Sequence, residues 1–453
     1  MGFTHDLPVG VTDWVESIGQ GTITCLERHV ARREAWVVDV RRDDGSVLEG
    51  FLRIDRDPKP NDPWSLCKEA RIIEALGPST VPVPALYGWH DGLSCALFQR
   101  APGRSDLDKL TDTAQQRRVM EDFMRVVGEL HNLELDSLGL DDVMPARPQT
   151  PEQCALGEVD LILSTWDGFL SSYCEPLITF GVGWLRRNVP QDVARVSLVQ
   201  GDTGPVNFLF DGDRVSAVID WEWGHYGDPM EDLGNICVRE LWNPSGGLTG
   251  LFELYARESG IPYSRAAVQY YRVQQNVRGM VPIHAVTMMA HPREPIAWYI
   301  VYRYVGDRAT CEAIAEASGV ELERPELPDD DSADDILAAA AQYALEHDVR
   351  PAVSDAFATS RIGDVAILVQ CMERKCRYGA LVEAMQLDEL AKLLGSRPSS
   401  LTAGLASLDE ALRDGRIDDA EALQFLGRRA YLDEWLYAPA VSLYPDRQWS
   451  PID

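Results

Sequence analysis

Near residue 112 the hydrophobic period of this 453-residue chain changes from that of strands to that of helices, which limits the folds open to it more than any other feature. Before that point, GTITCLERHV, EAWVVDV and SVLEGFLRI are β-branched and aromatic-rich runs, the last two joined by an Asp43-Asp44-Gly45 turn of hairpin type. PWSLCKEARIIEAL then sets Leu66, Ala70, Ile73 and Leu76 at helical spacing, and Pro82 and Pro84 end it. Two short apolar runs, PALYGW and CALFQR, follow before Ala101-Pro102-Gly103 breaks the chain. The order strand–strand–strand–helix–strand–strand predicts a small antiparallel sheet with one helix. Beyond it, Val119, Phe123, Val126, Val127 and Leu130 line one helix face, and further helices are expected over 230–243, 248–258, 264–290 and 296–318. One hairpin interrupts them: VNFLF, a turn at Asp211-Gly212-Asp213, then RVSAVID.

A composition break at Arg324-Pro325-Glu326-Leu327-Pro328, followed by Asp329-Asp330-Asp331, reads as a linker. After it, Ser332 with Asp335 resembles an N-cap pair opening the helix DDILAAAAQYALEH, and helices near 363–378, 379–394, 405–414 and 418–436 complete an all-helical module. The expected fold class is α+β with an all-α C-terminal module. The division is 1–103, 104–324, a linker at 325–332, and 333–453.

Charge narrows the partners. With 42 Lys+Arg against 72 Asp+Glu the formal net charge is −30, which argues against a nucleic-acid partner, since phosphate contacts need clustered basic residues. A site for an anionic ligand must be locally basic or helped by a metal. No apolar run approaches the ~18–20 residues of a membrane span, and MGFTHDLPVG lacks the basic flank and apolar stretch of a secretory signal. Met-Gly begins a myristoylation-like string, but Asp6 stands where Ser or Thr is expected. The nine cysteines are scattered, without CxxC or zinc spacing, as expected of reduced thiols in a cytoplasmic protein.

The chemistry concentrates in LVQGDTGPVNFLFDGDRVSAVIDWEWGHYGDPMEDLG, residues 198–234. Asp202 sits in a Gly/Pro-rich loop, Asn207 starts the first strand of the hairpin and Asp220 ends the second. The start of one antiparallel strand lies beside the end of its partner, so Asn207 and Asp220 converge at the end into which the Asp202 loop leads. Oxygen ligands beside a loop carboxylate suit a hard divalent cation and phosphoryl transfer. An acidic-ended hairpin is also what a solvated turn looks like, and Asp211 and Asp213 fit that description.

GDxxxxN, a hairpin, then IDWExxxxGDPxxDL resembles the aminoglycoside phosphotransferase/choline kinase family, kinase-like enzymes that phosphorylate small molecules. The resemblance implies a two-lobed protein-kinase-like fold over about 20–320, with ATP and Mg2+ as cofactors. It implies Asp202 as catalytic base, Asn207 and Asp220 as magnesium ligands, and Asp228 and Asp232 as structural. Arg53 matches the basic residue that contacts nucleotide phosphates, Glu69 its ion-pair partner, and Phe98–Ala101 the hinge whose Gln99 and Ala101 face adenine. Two departures are visible. Gln200 stands where the family usually has His two residues before the catalytic Asp; a Gln amide can make the same orienting hydrogen bonds. The turn His29–Glu34 lacks the glycines of the usual phosphate-covering loop, so Arg32 or Arg33 could supply charge in place of N–H contacts. Trp223 and His225 are candidates for the acceptor pocket, with core packing as the alternative.

Leu52-Arg53, Arg33-Glu34-Ala35-Trp36 and GDPMEDL look most like the kinase domains associated with acyl-CoA dehydrogenases, and the C-terminal part resembles a helical domain of unknown function found with such kinases. That subgroup implies phosphorylation of a hydroxyl on a hydroxyacyl chain, free or as its CoA thioester. Other acceptors, such as an aminoglycoside, a choline-like alcohol or a phenol, and a degenerate kinase that only binds nucleotide or a partner, remain the alternatives.

Overall fold

The computed structural model describes residues 7–29, 34–59, 62–291, 294–330, 336–445 and 447–452. It forms two compact units that do not follow chain order. One holds residues up to 154, 192–265 and the last two residues; the other holds 155–191 and 266–451.

The first unit opens with α1 (Val11–Gly19), whose Val11 and Val15 pack on a five-stranded antiparallel sheet. Strands β1 (Gly21–His29), β2 (Glu34–Arg42), β3 (Val47–Ile54), β4 (Leu86–His90) and β5 (Cys95–Gln99) take the order β1-β2-β3-β5-β4. Alternation sets the core: Trp36, Val38 and Val40 of β2 and Leu48, Leu52 and Ile54 of β3 face α1. At the β2–β3 turn Gly45 has φ +85°, a conformation a side chain would resist, and Asp44 Oδ1 accepts from Ser46 N at 2.9 Å. Helix α2 (Leu66–Leu76), capped by Ser65, lies between β3 and β4 in sequence, as the proline-bounded apolar spacing predicts. The sheet and its helix thus match the expected element order.

Helix α3 (Thr113–His131) follows, and α4 (Pro151–Thr165) carries the chain into the second unit, where α5 (Asp167–Leu170) and α6 (Pro176–Arg187) lie. After residue 192 the chain forms β6 (Ser197–Val199), the hairpin β7 (Phe208–Asp211) and β8 (Arg214–Val218), and β9 (His225–Gly227), which pairs with β6. Helices α7 (Pro229–Trp242) and α8 (Leu251–Ser259) complete the first unit.

The second unit continues with α9 (Arg265–Met289), α10 (Ile296–Ser318), α11 (Ile336–Tyr343), α12 (Ala356–Leu394), α13 (Leu401–Arg413), α14 (Asp419–Leu436) and α15 (Ala438–Val441). The proposed N-cap pair Ser332 and Asp335 lies outside the described residues. The two helices expected at 363–378 and 379–394 are one, 39 residues long. Gly379 does not break it because Tyr378 and Val382 on either side are buried against Leu432 and Leu436 of α14, and packing outweighs the roughly 1 kcal/mol helix penalty of glycine. Residues 320–330 are irregular but tied down: Gln424 of α14 donates to Glu321 O at 2.7 Å and accepts from Glu323 N at 2.9 Å. No described helix is long and apolar enough to cross a membrane, and all nine cysteines are free thiols.

Candidate active site

The hairpin β7–β8 positions the site. Phe208 pairs with Val218, and Ile219 N donates to Asn207 O at 2.9 Å, so Asn207 and Asp220 emerge at the same end. Asn207 Nδ2 donates to Asp202 twice, to the backbone O at 2.7 Å and to Oδ2 at 2.9 Å. The amide is therefore turned with its nitrogen toward Asp202, leaving Oδ1 without a donor among the described residues.

Backbone conformation at this end is unusual. Val206 has φ 73° and Asp220 φ 59°, left-handed values that non-glycine residues adopt at a cost of order 1–3 kcal/mol each. Gly201 (φ +78°) and Gly204 (φ +140°) are required for space as well as angle. A Cβ on the first would stand 2.4 Å from Trp223 O, and one on the second 2.7 Å from the Arg239 side chain.

Two buried residues hold the loop from behind. Gln200 Nε2 donates to Ile219 O (3.1 Å) and Asp220 O (2.7 Å), while its Oε1 accepts from Asp202 N (2.8 Å) and lies 3.1 Å from the Thr203 hydroxyl oxygen. One amide thus bridges the loop carrying Asp202 and the strand end carrying Asp220. Asp232, in the first turn of α7, accepts from Gln200 N, Gly201 N and His131 Nε2 at 3.0 Å each and from the Thr203 hydroxyl at 2.5 Å. Burial alone would raise its pKa, but these donors, His131 first, win and hold it below the usual carboxylate range. Asp228 caps α7, its Oδ1 accepting from Met230 N at 3.0 Å.

Sequence reasoning missed Arg239. Its Nε donates to Asp202 Oδ1 at 3.0 Å and its Nη2 contacts Oδ2, a fork that fixes the carboxylate plane together with Asn207. The signal was present: Arg239 lies seven residues, two turns, after Asp232 on α7, hence on the face that meets the Asp202 loop. Thr203 and His131 were missed too; neither carries a motif.

Arg53, on β3 opposite Ala96, contacts Glu69 of α2 and lies 3.6 Å from Asp220 Oδ1. Burial opposes its charge, but the carboxylates of Glu69, Asp220 and Glu222 outweigh it and raise its pKa. Apart from that long ion pair, Asp220 Oδ1 is buried without a hydrogen-bond donor. An amide oxygen and a carboxylate oxygen, both lacking donors at the base of one hairpin, form a donor set that fits a hard divalent cation.

Of the other expected site residues, Gln99 N donates to Ala85 O (2.7 Å) and its side chain accepts from Ala85 N (3.3 Å), whereas Ala101 N has no partner among the described residues. Arg33 lies outside the described residues. Trp223 is half-buried against Trp64, ring centroids 5.0 Å apart. His225 is buried, with Nδ1 at 2.8 Å from Trp223 O and Nε2 at 3.1 Å from Glu231, so both ring nitrogens are engaged within the chain.

The family model described as the phosphotransferase enzyme family matches residues 34–271, just over half of the chain and all of the site. The chain belongs to that family. The chain is 26% identical over 237 residues to a probable acyl-CoA dehydrogenase of Arabidopsis thaliana, covering 49% of this chain and 26% of that one. It is 25% identical over 253 residues to acyl-CoA dehydrogenase family member 11 of Rattus norvegicus, covering 53% and 30%. The matched region thus spans less than a third of the length of these relatives. Among solved structures, a putative aminoglycoside phosphotransferase from Ralstonia eutropha superposes with a TM-score of 0.55 at 17% identity, over 69% of this chain and 98% of that one. The fold is accordingly the kinase-like one of aminoglycoside phosphotransferases, an antiparallel sheet with a helical remainder, here with an all-helical C-terminal region.

Proposed function

We propose that the phosphotransferase is an ATP- and Mg2+-dependent small-molecule kinase that transfers the γ-phosphoryl group to a hydroxyl. The observation that carries this is the convergence of Asp202, Asn207 and Asp220 around a buried carboxylate oxygen that lacks a donor. Asn207 and Asp220 would hold the magnesium ion, which when bound neutralises charge on the phosphate oxygens. Asp202, oriented by Arg239 and Asn207, accepts the proton of the acceptor hydroxyl. Arg53, kept in place by Glu69, faces the phosphates, and Ala101 N with the backbone at Gln99 offers the adenine contacts. Trp223, beside Trp64, is the acceptor-side candidate; His225 supports the β6–β9 region instead.

In this reading residues 1–103 bind nucleotide, 104–324 carry the catalytic and acceptor groups, 325–332 link, and 333–453 are an accessory helical part of a cytoplasmic enzyme. For the acceptor we favour a hydroxyl of a catabolic intermediate, a hydroxyacyl chain or its CoA thioester. That choice rests on relatives named as acyl-CoA dehydrogenases that match about half of this chain.

The test is magnesium-dependent ATP consumption and phosphorylated-product mass across hydroxyacyl-CoAs, free hydroxy acids, aminoglycosides, choline-like alcohols and phenols. Product with the acyl substrates is expected. Asp202→Asn should bind nucleotide almost normally while turnover falls at least ~100-fold. Product only with another class moves the acceptor assignment; no ATP consumption with any acceptor overturns the kinase reading.

A further inference from the structure

In the second unit Arg272, Arg278, Arg308 and Arg429 are each ion-paired with a glutamate: Glu316 at 3.1 Å, Glu158 at 3.6 Å, Glu312 at 2.6 Å and Glu175 at 2.6 Å. Arg303 of α10 departs from that pattern. Among the described residues its guanidinium makes no ion pair with a carboxylate. Its Nη2 donates to the Tyr173 hydroxyl at 3.1 Å, its Nη1 reaches only the Met288 sulfur at 3.7 Å, and its buried Nε–H has no acceptor. A largely desolvated guanidinium with donors to spare is costly unless something else supplies an anion. In a chain with 72 acidic residues the missing partner is a marked omission.

Burial opposes the Arg303 charge, and the nearby Tyr304, Asp307, Tyr173 and Glu175 outweigh it and raise its pKa, but neither carboxylate comes within ion-pair distance. Asp307 Oδ1 lies 2.8 Å from His284 Nε2, and His284 Nδ1 lies 2.8 Å from the Tyr173 hydroxyl. An arrangement in which His284 Nε2 donates to Asp307 leaves Nδ1 to accept the phenolic proton, with the phenolic lone pairs facing Arg303. Burial pushes the Tyr173 pKa up to about 12, so the phenol stays protonated and contributes no negative charge. Apolar side chains are also among the neighbours. Phe169 stacks on Tyr173 with centroids 4.6 Å apart, and Met288 and Met289 are 57% and 60% exposed. Tyr173 also lines a cavity of about 390 Å³ whose walls mix Leu163, Leu170 and Ile178 with Glu175, Arg186 and Arg187.

We propose that Arg303, positioned by the Tyr173–His284–Asp307 chain, is an oxyanion receptor in the second unit, binding a carboxylate or phosphate carried on an apolar body. Met288, unbranched and exposed, is the movable cover over the guanidinium.

Calorimetric titration and thermal unfolding of the full chain with octanoate, octyl phosphate and inorganic phosphate, at fixed ionic strength and below micelle-forming concentrations, test this. At least one alkyl oxyanion should saturate and raise the unfolding temperature. Octanoate alone marks a carboxylate site, octyl phosphate alone a phosphate site, and inorganic phosphate should bind more weakly than either effective amphiphile. Arg303→Gln should lower that affinity by about tenfold or more, the loss of a charge-assisted fork, without lowering the unfolding temperature of the unliganded protein. Tyr173→Phe should weaken binding by less, and Met288→Ala should leave it equal or tighter. Absence of saturable binding, equal binding by wild type and Arg303→Gln, or a large loss of unliganded stability in Arg303→Gln would each overturn the proposal, the last by making Arg303 structural.

Discussion

The Asp202 loop and the helices of the second unit both bury charge, but they balance it differently. Around the loop, Gln200, Asp232, Asn207 and Arg239 direct hydrogen bonds at one short segment, yet Asp220 Oδ1 and Asn207 Oδ1 are left without donors. Among the helices, Glu175 and Arg429 form a two-bonded pair at 2.6 and 3.0 Å, and Glu175 also accepts from Leu177 N at 3.2 Å. A charge balanced within the chain supports the fold; one balanced only in part points to what binds.

The largest expected effect lies on the balanced side. Glu175→Gln leaves Arg429 as a buried cation without its main counter-charge and should cost about 3–5 kcal/mol in chemical denaturation. Burial would raise the Glu175 pKa, but Arg429 lowers it from 4.5 to about 2. Because the folded value is the depressed one, the stability gained, roughly 3 kcal/mol, is complete above about pH 4.5 and drains away as pH falls toward 2. Wild type should therefore lose stability across that window and Glu175→Gln should lose less, which unfolding midpoints at stepped pH would show.

On the open side, Arg239→Met frees the Asp202 carboxylate to rotate and should lower kcat by about 100-fold, the scale of a misplaced catalytic group. Nucleotide affinity, measured separately, should hardly change. An unaltered kcat would mean that Asn207 alone orients Asp202. The smallest effect is at Val206. Glycine accepts its φ of 73° without strain, so Val206→Gly should raise stability by up to ~1 kcal/mol after the added chain entropy is counted. A fall would show that the valine side chain packs more strongly than its backbone is strained.

These comparisons also separate what could be read in the sequence from what could not. The element order around Arg53 and the convergence of Asn207 with Asp220 follow from period-2 patterning and hairpin geometry, which are local. The grip of Arg239 on Asp202 joins residues 37 apart and becomes visible only once α7 has a direction. Helix α1 and the β6–β9 pair escaped notice because the first is only nine residues and the strands only three each, too short for periodicity to register. The grouping of 155–191 with residues beyond 266 was equally hidden, since helical spacing says which face is apolar but not which helix covers it. The division expected between 378 and 379 falls mid-helix because Tyr378 and Val382 are clamped by α14.

Gln200 has one further consequence. An imidazole in its place would gain or lose a proton close to neutrality, altering which atoms donate and which accept. A carboxamide has no such transition. The joint between the Asp202 turn and the end of β8 should therefore keep one wiring from mildly acidic to mildly alkaline solution, and any pH response of catalysis near neutrality must originate elsewhere.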